Sequence, residues 1–435
     1  MHKTPYRIAV AGLGTVGLGL IELLQTNADL VRQRAGRPIE IIGISARNQT
    51  KDRGLDLSAY PWIDDPMNLP DIDAVDGVVE LIGGDSGPAL ALARKTLDAG
   101  KDFITANKAL LALHGSELAG VSEKNNAALA YEAAVAGAIP AIKVVRESLA
   151  GNRISKISGI LNGTCNFILS AMESTGAAYA DVLKEAQRLG YAEADPTTDV
   201  GGFDAAHKLT LLAALAFGQH PDFQACQITG IEGVSDTALR YGERLGYRIR
   251  LVGLAELTDD RVVTRVQPMA VPVDSSLGRV RGSDNAIEII ADQAGSIFLQ
   301  GPGAGRAQTA SAVAGDLIDL ALGQARAVFS ISVEELGRSQ TANLSTTNPL
   351  KEARLCILQV KDAPGVMAAL TQILAAQDVS VDQLLQPGGH DGCCDLAIIT
   401  HPAHSENMQR AINVLNTQDF ILSPIESYRL EHFEA

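Results

Sequence analysis

The run YRIAVAGLGTVGLGLIELLQ, beginning at Tyr6, constrains this chain more than any other. A short β-forming stretch over residues 6–11 leads straight into Gly12-x-Gly14-x-x-Gly17. Val16, Leu20, Leu23 and Leu24 then recur at helical spacing. Strand, glycine loop and helix in this order form the setting in which the pattern holds a dinucleotide pyrophosphate. Gly12 permits the tight turn, Gly14 lets the backbone approach the phosphates, and Gly17 lets the helix pack on the sheet, with the helix N-terminus facing the anion. Thr15 and Val16 lie inside the loop and share the expected cofactor contact. The alternative is a glycine-rich turn without a ligand.

A second strand is expected within IEIIGISARN, residues 39–48. Folds that prefer NAD usually end this strand on an acid that bonds the ribose hydroxyls. Here Arg47 stands there, with Lys51 and Arg53 close behind. A basic residue suits a 2′-phosphate, and the missing acid removes repulsion, so the reading favours NADP with NAD possible. Scattered arginines on a solvated loop are the competing reading. GVVELIGG (77–84) and DFITANKALLALHG (102–115) continue a β-α-β pattern around the helical ALALARKTLDAGK. Ligands of open parallel sheets bind beyond the carboxyl ends of the strands, which places Thr105 and Lys108 near the cofactor crevice.

The chain has 435 residues, enough for two or three domains. Its 46% hydrophobic and 20% charged residues, with 41 glycines, suit a soluble α/β protein. A net charge of -15 argues against sequence-independent nucleic-acid binding, which needs clustered Lys and Arg. The five cysteines form no CxxC pattern, so neither a disulfide framework nor a zinc site is expected, and a reducing cytoplasm fits. No signal peptide is read at the N-terminus, and no apolar stretch approaches the ~20 residues of a membrane span.

In the middle of the chain, LAYEAAVAGAIPAIKVVRESL (129–149) reads as a strand, a small-residue loop and a helix begun near Pro140, with Glu132 at the strand's end. ISKISGILNGTCNFILSAME (154–173) reads as a strand to Leu161, a turn at Asn162-Gly163-Thr164 and a helix. AEADPTTDVGGFDAAHK (192–208) then gathers Glu193, Asp195, Asp199 and Asp204 ahead of Lys208. Asp204 and Lys208 are i,i+4 neighbours on a helical face that Leu211, Leu212 and Leu215 continue. A lysine on such a face pairs with a carboxylate or gives up its proton easily. Hydride transfer to a carbonyl needs that kind of group to protonate the alkoxide, and Glu193 suits the ammonium of an amino-acid substrate. A salt-bridged helix start is the bland alternative.

The motifs AGLGTVG, VVELIGG, GKDFITANKALLALHG, EAAVAGAIP, GILNGTCNFIL, LGYAEADPTTDVGGFDAAHK and GPGAG resemble, in order and spacing, those of the homoserine dehydrogenases over nearly the whole chain. The resemblance implies NAD(P)H-dependent reduction of aspartate semialdehyde to homoserine, on the route to threonine and methionine. It also implies an α/β fold: a Rossmann-type parallel-sheet domain and a mixed α+β catalytic and dimerisation domain. By the same resemblance Lys208 is the acid/base with Asp204 its partner, and Lys108 lies near substrate and nicotinamide. Glu193 binds substrate with Asp199 close by, and Gly190 and Gly305 contact the cofactor. Glu132 with the carbonyls of Val135, Gly137 and Ile139 resembles a monovalent-cation site, often sodium. One departure is visible: RAQTASAV follows GPGAG where many members carry proline-threonine.

After residue 348 the pattern becomes strand, helix, strand, strand, helix, strand, the ferredoxin-like order, with a tight turn at VKDAPGV. This resembles an ACT domain, which implies regulation with threonine as effector and a homodimer or homotetramer. The domains expected are 1–135 for nucleotide binding, with 305–330 packing back on it, 136–304 for catalysis and dimerisation, 331–348 as linker and 349–435 as the ACT domain. His390, His401 and His404 are too loosely spaced for a metal and read as surface residues. Two alternatives remain open: a phosphorylating semialdehyde dehydrogenase with Cys165 as nucleophile, and an amino-acid sensor with a vestigial dinucleotide fold.

Overall fold

The computed structural model describes residues 4–258, 261–338 and 351–431. The linker expected at 331–348 lies outside the described residues from 339 on, and the same holds for the side chain of His390. The first 130 or so residues build a five-stranded parallel sheet from β1 (Tyr6–Ala11), β2 (Ile39–Ser45), β3 (Gly77–Glu80), β4 (Asp102–Thr105) and β5 (Leu129–Ala130). The strand order is β2-β1-β3-β4-β5. The chain reverses direction across the sheet between β1 and β3, and the carboxyl ends of those two strands flank the crevice where such sheets bind ligands.

The glycine loop sits at that reversal. Gly12 has φ +103, and a Cβ there would stand 2.4 Å from the Leu81 carbonyl oxygen just past β3. A Cβ on Gly17 would stand 2.0 Å from the Gly12 carbonyl oxygen. These two glycines therefore let the loop close on itself and on its neighbour. Gly14 differs, because nothing lies within 4 Å of the position its Cβ would take. Helix α1 (Thr15–Thr26) follows.

Helix α1 packs against a helix from far along the chain, Arg306–Leu322. Small residues allow the approach: a Cβ on Gly19 would meet Arg306 at 2.8 Å and Ala310 at 3.3 Å. Leu20 and Ile21 share one buried cluster with Ile8 and Val10 of β1 and with Val313 and Leu317. Each fully buried aliphatic side chain contributes ~1.5–3 kcal/mol, so this return of the chain is a large part of what holds the first sheet.

Nearly all the remaining strands join an 11-stranded mixed sheet, and Lys351–Glu352 pairs separately with Ala403–His404. The first part of the mixed sheet contains β6 (Ile154–Ile160), β7 (Tyr247–Thr258), β8 (Arg261–Pro272), β9 (Asp284–Ala291) and β10 (Gly295–Pro302). Its C-terminal half contains β11 (Arg354–Lys361), β12 (Val381–Leu385), β13 (Cys393–Thr400) and β14 (Glu426–Leu430). Nine of its strands run in the order β10-β9-β6-β7-β8-β14-β11-β13-β12, and two short ones pair off this path, Gln227–Ile228 with β8 and Gly389–His390 with β13. The last strand therefore pairs with β8, placing Arg429 opposite Met269 and Leu430 opposite Ala270. Within the C-terminal half, β14-β11-β13-β12 with helices Val366–Ala376 and Ser405–Leu415 is a ferredoxin-like unit.

Helix Phe203–Phe217 lies in the interior, with Leu209, Leu211, Leu212 and Leu215 buried. Among the described residues no helix is long and apolar enough to cross a membrane.

The two kinds of glycine are separable. Gly17→Ala should destabilise the protein by about 1–3 kcal/mol in chemical denaturation, because the loop backbone must move. Gly14→Ala should leave stability within about 0.5 kcal/mol yet weaken dinucleotide binding in a fluorescence titration. Equal melting losses in both variants would contradict this division.

Candidate active site

Several separate stretches of chain meet at one cavity of about 610 Å³. The turn after β4 delivers Lys108, where Asn107 caps the helix Lys108–Asn125 by accepting from the Leu110 amide at 3.1 Å. The buried helix delivers Asp204 and Lys208. The end of β6 delivers the Leu161 carbonyl and Asn162, and β9 delivers Asn285.

Asp204 is the centre of this arrangement. Its Oδ2 lies 2.8 Å from Lys208 Nζ and its Oδ1 lies 3.0 Å from Lys108 Nζ. One carboxylate therefore holds both lysines. Asn162 Nδ2 donates to Asp204 Oδ2 at 2.9 Å and to Asp199 Oδ1 at 2.8 Å. Lys208 also donates to the Leu161 carbonyl at 2.7 Å. An ammonium has three donors, so these two bonds leave Lys208 one for the cavity it lines. The side chain of Lys208 is 9% exposed and that of Lys108 35%, so Lys208 is the better shielded of the pair.

Burial alone would raise the Asp204 carboxyl, but the ammonium groups of Lys208 and Lys108 outweigh it and hold the group well below its ordinary range. Lys108 is raised, chiefly by Asp204. Asp199 is raised by burial, against the bond from Asn162.

The acids of the 192–208 loop thus separate by role. Asp195 accepts from the amide and hydroxyl of Thr197 and shapes the turn. Glu193 stands exposed on the cavity wall, and Asp199 and Asp204 reach inward. Val16, Val135, Gly190 and Gly305 line the same cavity. Gly12 and Gly14 of the loop, with Thr15 and Gly17 in the first turn of α1, flank Val16 beside it. The Thr105 hydroxyl is engaged elsewhere: it donates to Glu80 at 2.6 Å and accepts from the Asn107 amide. Arg47 is exposed two residues past β2 and forms no ion pair with a described residue. Arg53 stacks over Trp62 and bonds to the carbonyls of Lys51 and Asn48, closing its own loop.

The glycine loop fits a dinucleotide. Its open face at Gly14 offers backbone without side chain, next to the first turn of α1. The Glu132 region is more occupied. Both carboxylate oxygens of Glu132 accept backbone amides, from Ile142 at 3.0 Å and Lys143 at 2.9 Å. Burial and the neighbouring Asp316 push Glu132 up to about 7. The Ile139 carbonyl accepts from Ala141, whereas those of Val135 and Gly137 accept no backbone N–H among the described residues. Two loop carbonyls therefore stand without a backbone partner, and oxygen is the donor type that a hard cation takes.

Cys165 is buried, and its thiol donates to the Asp199 carbonyl at 3.1 Å. Burial pushes the thiol well up, and the carboxylates of Asp199 and Asp204 add to this. A thiolate nucleophile is disfavoured there. Asn162 read in the sequence only as part of a turn. Its signal was faint: a capping residue type at the start of a helix, where its Oδ1 accepts from the Cys165 amide at 2.8 Å. Asn285 carried no signal.

The pairing has a pH signature. Asp204 titrates lower folded than unfolded, so its stabilisation is complete above its ordinary value of 3.8 and is lost as pH falls towards the folded value. Asp204→Asn should cost about 3 kcal/mol near neutral pH by urea denaturation, and the gap from wild type should narrow below about pH 4. A gap independent of pH would contradict the assignment.

Comparison with known proteins bears directly on this cavity. The family model for homoserine dehydrogenase matches residues 140–318, and the model for its NAD binding domain matches residues 12–132. The chain is 41% identical to the homoserine dehydrogenase of Neisseria gonorrhoeae over 431 residues, covering 98% of this chain and 99% of that one. It is 33% identical to the Bacillus subtilis enzyme over 427 residues, covering 98% of each. The solved homoserine dehydrogenase of Thiobacillus denitrificans superposes with a TM-score of 0.91 at 38% identity, covering 98% of both chains. A hyperthermophilic archaeal homoserine dehydrogenase in complex with NADPH superposes with a TM-score of 0.63 at 28% identity, covering 74% of this chain and 98% of that one. With this similarity running through both the glycine loop and the Asp204–Lys208 helix, the chain belongs to the homoserine dehydrogenases, NAD(P)-dependent oxidoreductases.

Proposed function

We propose that this enzyme reversibly reduces L-aspartate 4-semialdehyde to L-homoserine, in threonine and methionine biosynthesis, with Lys208 as acid/base and NADP as the preferred cofactor. The observation that carries the reading is the Asp204 carboxylate shared by Lys208 and Lys108 in the wall of a cavity that Val16 and Gly305 also line. When bound at the glycine loop, the nicotinamide cofactor supplies or accepts the hydride.

The chain's own residues manage the proton. Lys208 is fixed by Asp204 and the Leu161 carbonyl, with one N–H directed to the developing alkoxide. In the reverse direction its neutral amine takes the hydroxyl proton. Lys108 shares Asp204 and supports the same charge. Glu193 and Asp199 receive the substrate ammonium, and Gly190 and Gly305 lie against the cofactor. Glu132 with the carbonyls of Val135, Gly137 and Ile139 holds a monovalent cation such as sodium, steadying the loop beside the cavity. Arg47, free of any carboxylate partner among the described residues, receives the 2′-phosphate, and the NADPH complex of the archaeal relative supports that preference. The buried Cys165 weighs against a phosphorylating semialdehyde dehydrogenase, and the lysine pair weighs against a pure amino-acid sensor.

The C-terminal unit is read as an ACT domain that binds threonine and lowers activity, in a homodimer or homotetramer. The ferredoxin-like order and the turn at Asp362–Val366 support this. Because β14 completes the catalytic sheet, removing this unit would also expose a sheet edge. Titrating threonine into the intact enzyme is the cleaner test. Falling turnover is expected, and a flat response would reject the regulation.

For the chemistry, Lys208→Ala should lower kcat for homoserine oxidation by about 10²–10⁴ with cofactor affinity nearly unchanged. Parallel loss of turnover and cofactor binding would indicate a structural lysine instead. Arg47→Ala should reduce the preference for NADP over NAD about tenfold or more. An unchanged ratio would remove Arg47 from the site.

A further inference from the structure

Asn285 is buried to 1% exposure, yet it lines the catalytic cavity. Its Nδ2 donates to the Leu161 carbonyl at 3.0 Å. That carbonyl is the one that accepts from Lys208. A carbonyl can only accept, so this bond fixes which end of the amide is nitrogen and which is oxygen. The oxygen, Oδ1, is buried and has no hydrogen-bond partner among the described residues.

The surroundings hold the amide in place. It fills the space a side chain at 303 would need, since a Cβ on Gly303 would lie 2.0 Å from Nδ2. On another side, a Cβ on Gly163 would lie 3.4 Å from Oδ1 and only 2.4 Å from the Ser283 carbonyl oxygen. Buried acceptors are almost always satisfied, and this unpaired one belongs to a side chain that lines the cavity, so a donor from the ligand is the partner that would satisfy it.

We propose that Asn285 is both a ligand contact and a positioning residue. Its Oδ1 receives an N–H from the bound molecule, while its Nδ2 holds the Leu161 carbonyl that orients Lys208. The donor is an N–H group, and two sources carry one: the substrate's ammonium and the nicotinamide carboxamide. Filling the site thus couples ligand binding to the setting of the lysine through a single side chain. The inference rests on Lys208 being the acid/base.

The test uses the full-length enzyme with Asn285→Ala and Asn285→Ser, the serine variant deciding if the alanine variant fails to fold. Homoserine KM, kcat against pH, and affinity for NADP are measured. NADP is compared with its 3-acetylpyridine analogue, whose methyl ketone offers no N–H. If the ammonium is the donor, homoserine KM rises about tenfold, the scale of one hydrogen bond, and the analogue behaves as in the wild type. If the carboxamide is the donor, the wild type prefers NADP over the analogue and the variants lose that preference. In both cases the pH profile of kcat moves. Folded variants with unchanged KM, cofactor preference and pH profile would overturn the proposal, and an unmoved pH profile alone would remove the positioning role. Lys208→Ala, run alongside, separates the failures: an active Lys208→Ala defeats the acid/base reading, whereas an inactive one beside wild-type Asn285 variants defeats only this inference.

Discussion

The carboxylate of Asp204 is the interaction on which the site depends. Two ammonium groups drawn into one largely buried wall would repel each other and lose their hydration. A single buried acid between them offsets both costs and sets their positions. The acid in turn needs hydrogen bonds, and Asn162 supplies one while also bonding to Asp199. Burial makes the arrangement stringent, because each group left without its partner would carry a desolvation cost.

The fold makes that meeting possible by bringing distant chain segments to one place. Lys108 comes from the parallel sheet, Asp204 and Lys208 from a helix in the interior, and Leu161 from the end of β6 in the mixed sheet. The helix Arg306–Leu322 closes back on α1, and a second buried cluster runs from Ala9 and Val78 of the first sheet to Ile157 and Ile287 of the mixed sheet. The C-terminal unit joins through β14 and through buried ion pairs. Arg265 meets Glu352 at 2.7 Å, Arg429 meets Glu256 at 3.1 Å, and Lys156 pairs with Glu431. Lys156 lies on β6, the same strand that runs into Leu161. One strand therefore touches both the C-terminal unit and the residue that holds Lys208.

The features legible in the sequence are those whose partners are close in the chain. The glycine spacing from Gly12 to Gly17 and the four-residue step from Asp204 to Lys208 each encode a geometry within one loop or one helical turn. Features built from remote partners were not legible. Asn162 reaches Asp204 across 42 positions, and Asn285 reaches Leu161 across 124. No local pattern marks such a pair, because only the folded sheet sets their distance. Charge counting also misleads when side chains are spent locally: Asp195 and Arg53 each close their own turn. Thr105, at the right strand end for a cofactor contact, has its hydroxyl committed to Glu80 by cross-strand register.

The central claim is that Lys208 acts by moving a proton and not merely by carrying charge. Lys208→Arg separates the two, because a guanidinium keeps the charge and can still meet Asp204 but does not release its proton in this pH range. The direct measurement is single-turnover hydride transfer from homoserine to NADP in Lys208→Arg, followed by nicotinamide absorbance. The account predicts a rate lower by about a hundredfold or more, with cofactor affinity and thermal stability close to wild type. A near-wild-type rate would contradict it and would leave Lys208 an electrostatic support.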